Sequence, residues 1–364
     1  MPRFHDRTIL FRAGDFIFAT YGLMAFFAFG STSYVILAYL ARVGMDPVAA
    51  GAFLLLGAFP AVLVGARLFS ILLEWRQLFV HPIRTLLKPG YMLHGGIAGG
   101  LAAIIAYNWG DMGSFFRLAD SFGFAMPLGE SVMRWGCFVY GCCWGAPTSS
   151  RFGVCYTSPH SKVLRFMPHL HGVSIHPHQV YASVLYGAQF LLFFAMLPLN
   201  LPDGMFTALF LFTHPILRVF LERFRHDDRG KLWGPFTHTH AYAAVQMMAG
   251  VLVGWLALSR GAPSTALQTW PVLVTEPIVL IIAGGVGVAA ALAFGLHYKS
   301  VGSWIPAKAI HPHVVNPHVH PPGQSHGHSH SHSHTNGHGH SHTNGPGHTH
   351  GPTSGGEMAP GKAK

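Results

Sequence analysis

Charge is what this sequence has least of. Only 10% of its 364 residues are charged, against about 25% in an ordinary soluble domain. The charges that exist gather in short segments between long apolar runs, which excludes a solvated globular surface. No soluble basic domain is present to hold a duplex, so the net charge of +10 does not point to nucleic acid. Anionic lipid headgroups are the fitting partners for basic residues placed beside apolar runs. The first apolar run is too long for a signal peptide and has no small-residue cleavage site, so it is expected to be retained as a helix.

What is present is apolar. Half of the residues are hydrophobic. Runs at residues 18–40, 48–73, 92–107, 118–140, 180–199, 204–221, 241–258 and 272–296 read as membrane spans. A helix needs roughly 20 apolar residues to cross the ~30 Å hydrocarbon layer. The third and fourth runs are the weakest, one short and one polar. The expected fold is an all-α polytopic helix bundle. Its divisions are an N-terminal extramembrane segment (1–17), a core transmembrane domain (18–258), an additional helix region (259–300) and a disordered tail (301–364). Arginines and lysines concentrate on one side of these spans, which taken alone would make that side cytoplasmic.

The tail carries histidine at alternate positions, His326, His328, His330, His332 and His334. Gly, Ser, Thr and Pro around them cannot form a core, so disorder is expected. Alternating imidazoles are weak ligands for a divalent metal.

Four places hold residues unusual for a membrane interior, where ionisable groups are costly and functional by default. Tyr21 lies early in the first span, where it can also be a simple interfacial aromatic. His94-Gly95-Gly96 combines a base that titrates near neutral pH with small residues for close helix approach. Arg134, Cys137, Gly141 and Gly145 fall on one stripe if the segment is helical throughout. An arginine beside such a stripe suits phosphate oxygens. Arg218, Glu222 and Arg225 share a face at i, i+4 and i+7. The cysteines, Cys137, Cys142, Cys143 and Cys155, sit in one short stretch. They read as a thiolate metal site, a disulfide or small packing residues. The adjacent pair Cys142-Cys143 lacks the usual C-x-x-C spacing, and no metal is expected in the core.

Taken together and in order, these segments resemble the bacterial prolipoprotein diacylglyceryl transferase family. The resemblance runs from about residue 18 to 258. It is carried by Tyr21-Gly22-Leu23-Met24, Gly65-Ala66-Arg67 and His94-Gly95-Gly96. It continues through Arg134-x-Gly136 with Gly141 to Gly145, His176-Pro177-x-Gln179-x-Tyr181, and Arg218-x-x-x-Glu222-x-x-Arg225-x-x-Asp228. The resemblance implies transfer of the diacylglyceryl group of phosphatidylglycerol to the lipobox cysteine of a prolipoprotein. It implies no cofactor. The partners would be phosphatidylglycerol, prolipoprotein signal peptides and the bilayer. It places the protein in the bacterial inner membrane, with the active site facing the periplasm, against the simple charge count.

On this resemblance the catalytic set is His94, Arg134, Arg218, Glu222 and Tyr21. Arg67, Cys137, Gly141, Cys142, Gly145 and Arg225 would bind substrate. His94 would act as base, Arg134 and Arg218 would stabilise the departing phosphate, and Glu222 would orient an arginine. The signature departs from the family pattern. Cys137 and Tyr140 stand where asparagines are usual, and Cys142 where a glutamate is. His214 replaces a tyrosine one turn before Arg218, and Ile175 an arginine before His176. A metal-handling or thiol-redox membrane protein built on the cysteines and the tail is the alternative, as is a related transferase with another acceptor.

Overall fold

The computed structural model describes residues 8–73, 75–87, 93–109, 111–225, 231–233, 236–261 and 276–301. The tail histidines and Asp228 lie outside these residues.

The chain opens with a hairpin of β1 (Ile9–Ala13) and β2 (Phe16–Ala19), followed by the first long helix, α1 (Thr20–Arg42). The second apolar run forms α2 (Pro47–Phe53), one π-helical turn (Leu54–Ala58) and α3 (Phe59–Leu73). Asp46 starts it: its carboxylate accepts from the N–H groups of Val48 and Ala49, and Pro47 occupies the first turn, where no N–H is needed. Two short helices, α4 (Trp75–Val80) and α5 (Pro82–Leu87), precede α6 (Leu93–Tyr107).

The polar fourth run is a 29-residue helix, α7 (Met112–Tyr140). It begins earlier than the apolar pattern suggests because Asp111 caps it, accepting from the N–H groups of Gly113 and Ser114. Hydrogen bonding from Ser114 holds the Asp111 carboxyl below its usual range. A loop then carries β3 (Val154–Cys155), α8 (Lys162–Phe166) and β4 (Ser174–Ile175), with β3 and β4 paired antiparallel. Three long helices follow: α9 (His178–Met196), α10 (Met205–Glu222) and α11 (His238–Arg260). A small ribbon, β5 (Lys231–Trp233) and β6 (Phe236–Thr237), leads into α11. The last long helix, α12 (Pro277–Gly295), ends in β7 (Leu296–Tyr298).

Every apolar run of the sequence thus corresponds to a helix. Among the described residues, six helical segments are long and apolar enough to cross a membrane. α6 is shorter, and α7 carries Arg117, Asp120, Glu130 and Arg134. The protein is an all-α, multi-pass membrane bundle, with three minor β-ribbons among the described residues.

Tertiary contacts fix which helix ends lie together. β2 pairs antiparallel with β7, so the start of α1 and the end of α12 share one end of the bundle. The end of α7 joins them through the Thr8 hydroxyl, 3.5 Å from the Val139 carbonyl. The end of α10 joins through an antiparallel bridge between Gly145 and Arg225. At the opposite end Arg42 donates to the Leu197 carbonyl at 2.9 Å, tying α1 to the end of α9. There too Asp120 of α7 accepts from the Gly204 and Thr207 N–H groups, both at 2.7 Å, and so caps α10 from a neighbouring helix.

α12 is part of the bundle. A side chain at Gly22 would strike the Gly295 backbone, and one at Gly287 would meet the Phe26 carbonyl at 2.9 Å. α1 and α12 therefore touch backbone to backbone, the approach small residues allow within a bilayer. Gly65 of α3 lies equally close to Gly95 and Gly99 of α6.

Candidate active site

α7 continues past Arg134 and stops at Tyr140. Gly141 supplies the left-handed backbone, with φ of 72°, that ends it. The single stripe expected for Arg134, Cys137, Gly141 and Gly145 therefore holds only as far as Cys137. Beyond it the chain turns out of the helix, and Gly145 pairs with Arg225 instead. A Cβ at Gly145 would collide with the His176 carbonyl and approach the Phe224 carbonyl to 2.8 Å, so only glycine fits between the two strands. Arg225 likewise departs from its expected helical face. α10 ends at Glu222, and Arg225 lies in extended backbone beyond it. The bridge, not helical periodicity, is what joins Arg225 to the signature.

The ion pairs cluster inside this end of the bundle. Glu130 Oε2 is 3.7 Å from Arg134 Nη2, one helical turn on, and 3.2 Å from His214 Nε2 on α10. Arg218 Nη1 pairs with Glu222 Oε2 at 3.1 Å, and the Thr239 hydroxyl of α11 approaches Glu222 Oε1 at 3.5 Å. The Arg134 guanidinium lies over the Tyr186 ring, 5.5 Å from its centroid, and that ring stacks on His214 at 5.0 Å. Arg134, Arg218 and Arg225 all lie within electrostatic range of Tyr186 and of His178.

Several buried polar groups here have no protein partner among the described residues. They are both ring nitrogens of His178, the Tyr186 hydroxyl and Gln179 Oε1. Buried polar atoms are nearly always satisfied, and an unsatisfied group at a site calls for an explanation. With Arg134, Arg218 and Arg225 in electrostatic range of His178 and Tyr186, this end of the bundle is suited to a polar, anionic ligand.

Tyr21, in the first turn of α1, stands against the end of α7. It packs 5.4 Å from the Tyr140 ring, and a Cβ on Gly136 would come within 3.3 Å of it. The signature loop is held by Gln179, whose side-chain amide donates to the Cys142 carbonyl at 2.7 Å. The Cys137, Cys142 and Cys143 sulfurs lie within 4.8 Å of one another. Cys143, in the loop beyond α7, is held well below the usual thiol range by hydrogen bonds from Cys137 and Cys142, with Arg225 and Arg134 adding to the effect.

The structure thus brings together Tyr21, Arg134, Cys137, Cys142, Gly145, Arg218, Glu222 and Arg225. Arg67 is engaged elsewhere, donating to the Thr85 and Leu86 carbonyls at 2.9 and 2.6 Å. His94 is in the first turn of α6, and its side chain lies outside the described residues. Glu130, Tyr186 and His178 join the site through tertiary contacts that no sequence motif marks. Glu130 also carries a local signal: it precedes Arg134 by four residues, the spacing of a helical ion pair.

The family model for prolipoprotein diacylglyceryl transferase matches residues 8–257. The chain belongs to this family. Relatives agree. A phosphatidylglycerol–prolipoprotein diacylglyceryl transferase of Acaryochloris marina is 27% identical over 267 residues, 70% of this chain and 93% of the relative. One of Geobacter sulfurreducens is 28% identical over 267 residues, 70% of this chain and 97% of the relative. One of Clostridium tetani is 29% identical over 179 residues, 47% of this chain and 66% of the relative. The matched region of the family takes in α1 to α11 and leaves α12 outside it.

Proposed function

We propose that the chain transfers the diacylglyceryl group of phosphatidylglycerol to the lipobox cysteine thiol of a prolipoprotein. The observation that carries this reading is the cluster of Arg134, Arg218 and Arg225 around buried, unpartnered polar groups at one end of a membrane bundle. Ionisable groups inside a bilayer are functional by default; glutamates hold Arg134 and Arg218 in place, and a phosphate headgroup is the anion such an arginine cluster suits. The forked geometry of arginine matches phosphate oxygens.

In the reaction the acceptor sulfur bonds to the glyceryl carbon that carries the phosphate ester. The carbon–oxygen bond breaks, and glycerol phosphate leaves with the electron pair. The thiol proton goes to a base, for which His94 is the proposed residue. Negative charge grows on the leaving phosphate, and Arg134 and Arg218 stabilise it. Glu130 and Glu222 keep those guanidinium groups in place. Tyr21 and Tyr186 line the headgroup site. Cys137, Gly141, Cys142 and Gly145 shape the loop beside it, and Arg67, held by the Thr85 and Leu86 carbonyls, would have to leave them to reach a lipid phosphate.

In this reading the protein works in the bacterial plasma membrane, with the arginine end on the outer face. The basic residues there are headgroup ligands and not markers of a cytoplasmic side. The tail histidines, His326 to His334, form a separate weak site for a divalent metal, a proposal resting on their alternation alone.

The reading is tested with phosphatidylglycerol labelled in its headgroup glycerol. Reconstituted protein should release labelled glycerol phosphate only when a lipobox peptide is present. Release without acceptor, or none from folded protein, counts against it.

A further inference from the structure

We propose that Cys137, Cys142 and Cys143 form a three-thiolate site for one soft metal ion, with Cu⁺ favoured over Zn²⁺. The observation is the meeting of their sulfurs within 4.8 Å at the mouth of α7. At a metal–sulfur distance of about 2.3 Å, three trigonal sulfurs lie about 4.0 Å apart. The thiols thus need to close by less than ~1 Å, which side-chain rotation supplies.

The backbone is arranged for this convergence. Gly141 ends α7 in the left-handed region, and Cys143 also holds a left-handed φ of 57°. A side chain makes that conformation costly, and among the described residues only Asn200 and Lys299 share it outside glycine. The two left-handed residues curl the chain back, so that Cys142 and Cys143 meet Cys137 from the last turn of the helix. Cys155, on β3, is a free cysteine outside the cluster.

The chemistry favours a soft ion. Thiolate ligands select Cu⁺ and Zn²⁺ over harder cations. Structural zinc sites nearly always have four protein ligands, and three thiols gather here. Coordination requires each thiol to release its proton to buffer. The resulting negative charge lies near two arginines: Arg134, one turn before Cys137 on α7, and Arg225, bridged to Gly145 just beyond Cys143. Cys137 is buried, whereas Cys142 and Cys143 are half-buried, which leaves a route of entry.

The full-length, reduced protein in nanodiscs is loaded anaerobically with one equivalent of Cu⁺ or Zn²⁺ and studied by X-ray absorption. Ligation by sulfur separates this site from the histidine-rich tail. With Cu⁺ the expected result is a shell of three sulfurs, lost in Cys143→Ser and kept in Cys155→Ser. Alkylation of Cys142 and Cys143 in the unmutated chain should slow at least tenfold on Cu⁺ loading, a readout that does not depend on a variant folding. A nitrogen-only shell, a sulfur shell unchanged by Cys143→Ser, or alkylation unaffected by Cu⁺ would overturn the site. Sulfur-bound Zn²⁺ without sulfur-bound Cu⁺ would overturn the copper preference.

Discussion

The Glu130 carboxylate on α7 lies 3.2 Å from His214 Nε2 on α10, and so couples the two helices that carry the Arg134 and Arg218 guanidinium groups. One carboxylate thereby serves two elements of the anion site. Breaking such a buried arrangement leaves uncompensated charge. Glu130→Gln should lower transfer at least tenfold, and a Glu130→Gln/His214→Phe cycle should show a coupling of about 1–3 kcal/mol. Additive effects of the two changes would mean the contact carries no weight.

Arg134 acts through both its charge and its plane. Lysine keeps the charge but loses the fork and the seating on Tyr186. Arg134→Lys should therefore cost about 100-fold in kcat/KM, and Arg134→Ala should leave no measurable transfer. An Arg134→Lys enzyme close to wild type in a steady-state assay would show that charge alone suffices.

Much of the architecture was legible in the sequence. Each apolar run became a helix because a bilayer leaves the backbone few other ways to satisfy its hydrogen bonds. The helix bounds were less so: Asp111 extends α7 by a cap, a feature that hydropathy does not weigh. The site was legible as single residues, not as contacts. Periodicity placed Arg225 on the α10 helix face, yet the helix ends three residues earlier, and the Gly145 bridge is a long-range pairing. The meeting of three thiols was equally hidden, since adjacent cysteines match no familiar metal spacing until Gly141 turns the chain.

Gly145 makes that bridge sterically feasible. Gly145→Ala would push against the His176 and Phe224 carbonyls, and overpacking of this kind costs about 1–3 kcal/mol. The variant should melt at lower temperature and lose transfer in parallel. An unchanged melting temperature by differential scanning fluorimetry would argue against the tight packing described.

Asp120 caps α10 through Gly204 and Thr207 at the end remote from the arginines. Asp120→Ala should destabilise the protein by about 2 kcal/mol or more. KM for phosphatidylglycerol should stay near its wild-type value in the fraction that folds. A selective rise in KM would place Asp120 in the substrate site.

α12 seats its glycines on α1. Gly22→Val should part the two helices, and cysteines placed at Gly30 and Ala283 should then cross-link several-fold less than in the parent. Equal cross-linking would show that the seam tolerates bulk.

The central claim is diacylglyceryl transfer, and the mass of the acceptor tests it most directly. Purified protein in phosphatidylglycerol vesicles is mixed with a lipobox peptide, and with the same peptide carrying serine for cysteine. A gain of one diacylglyceryl unit on the cysteine peptide, absent from the serine peptide and from the Arg134→Ala variant, is the predicted result. Folded protein that leaves the cysteine peptide unchanged would contradict the account.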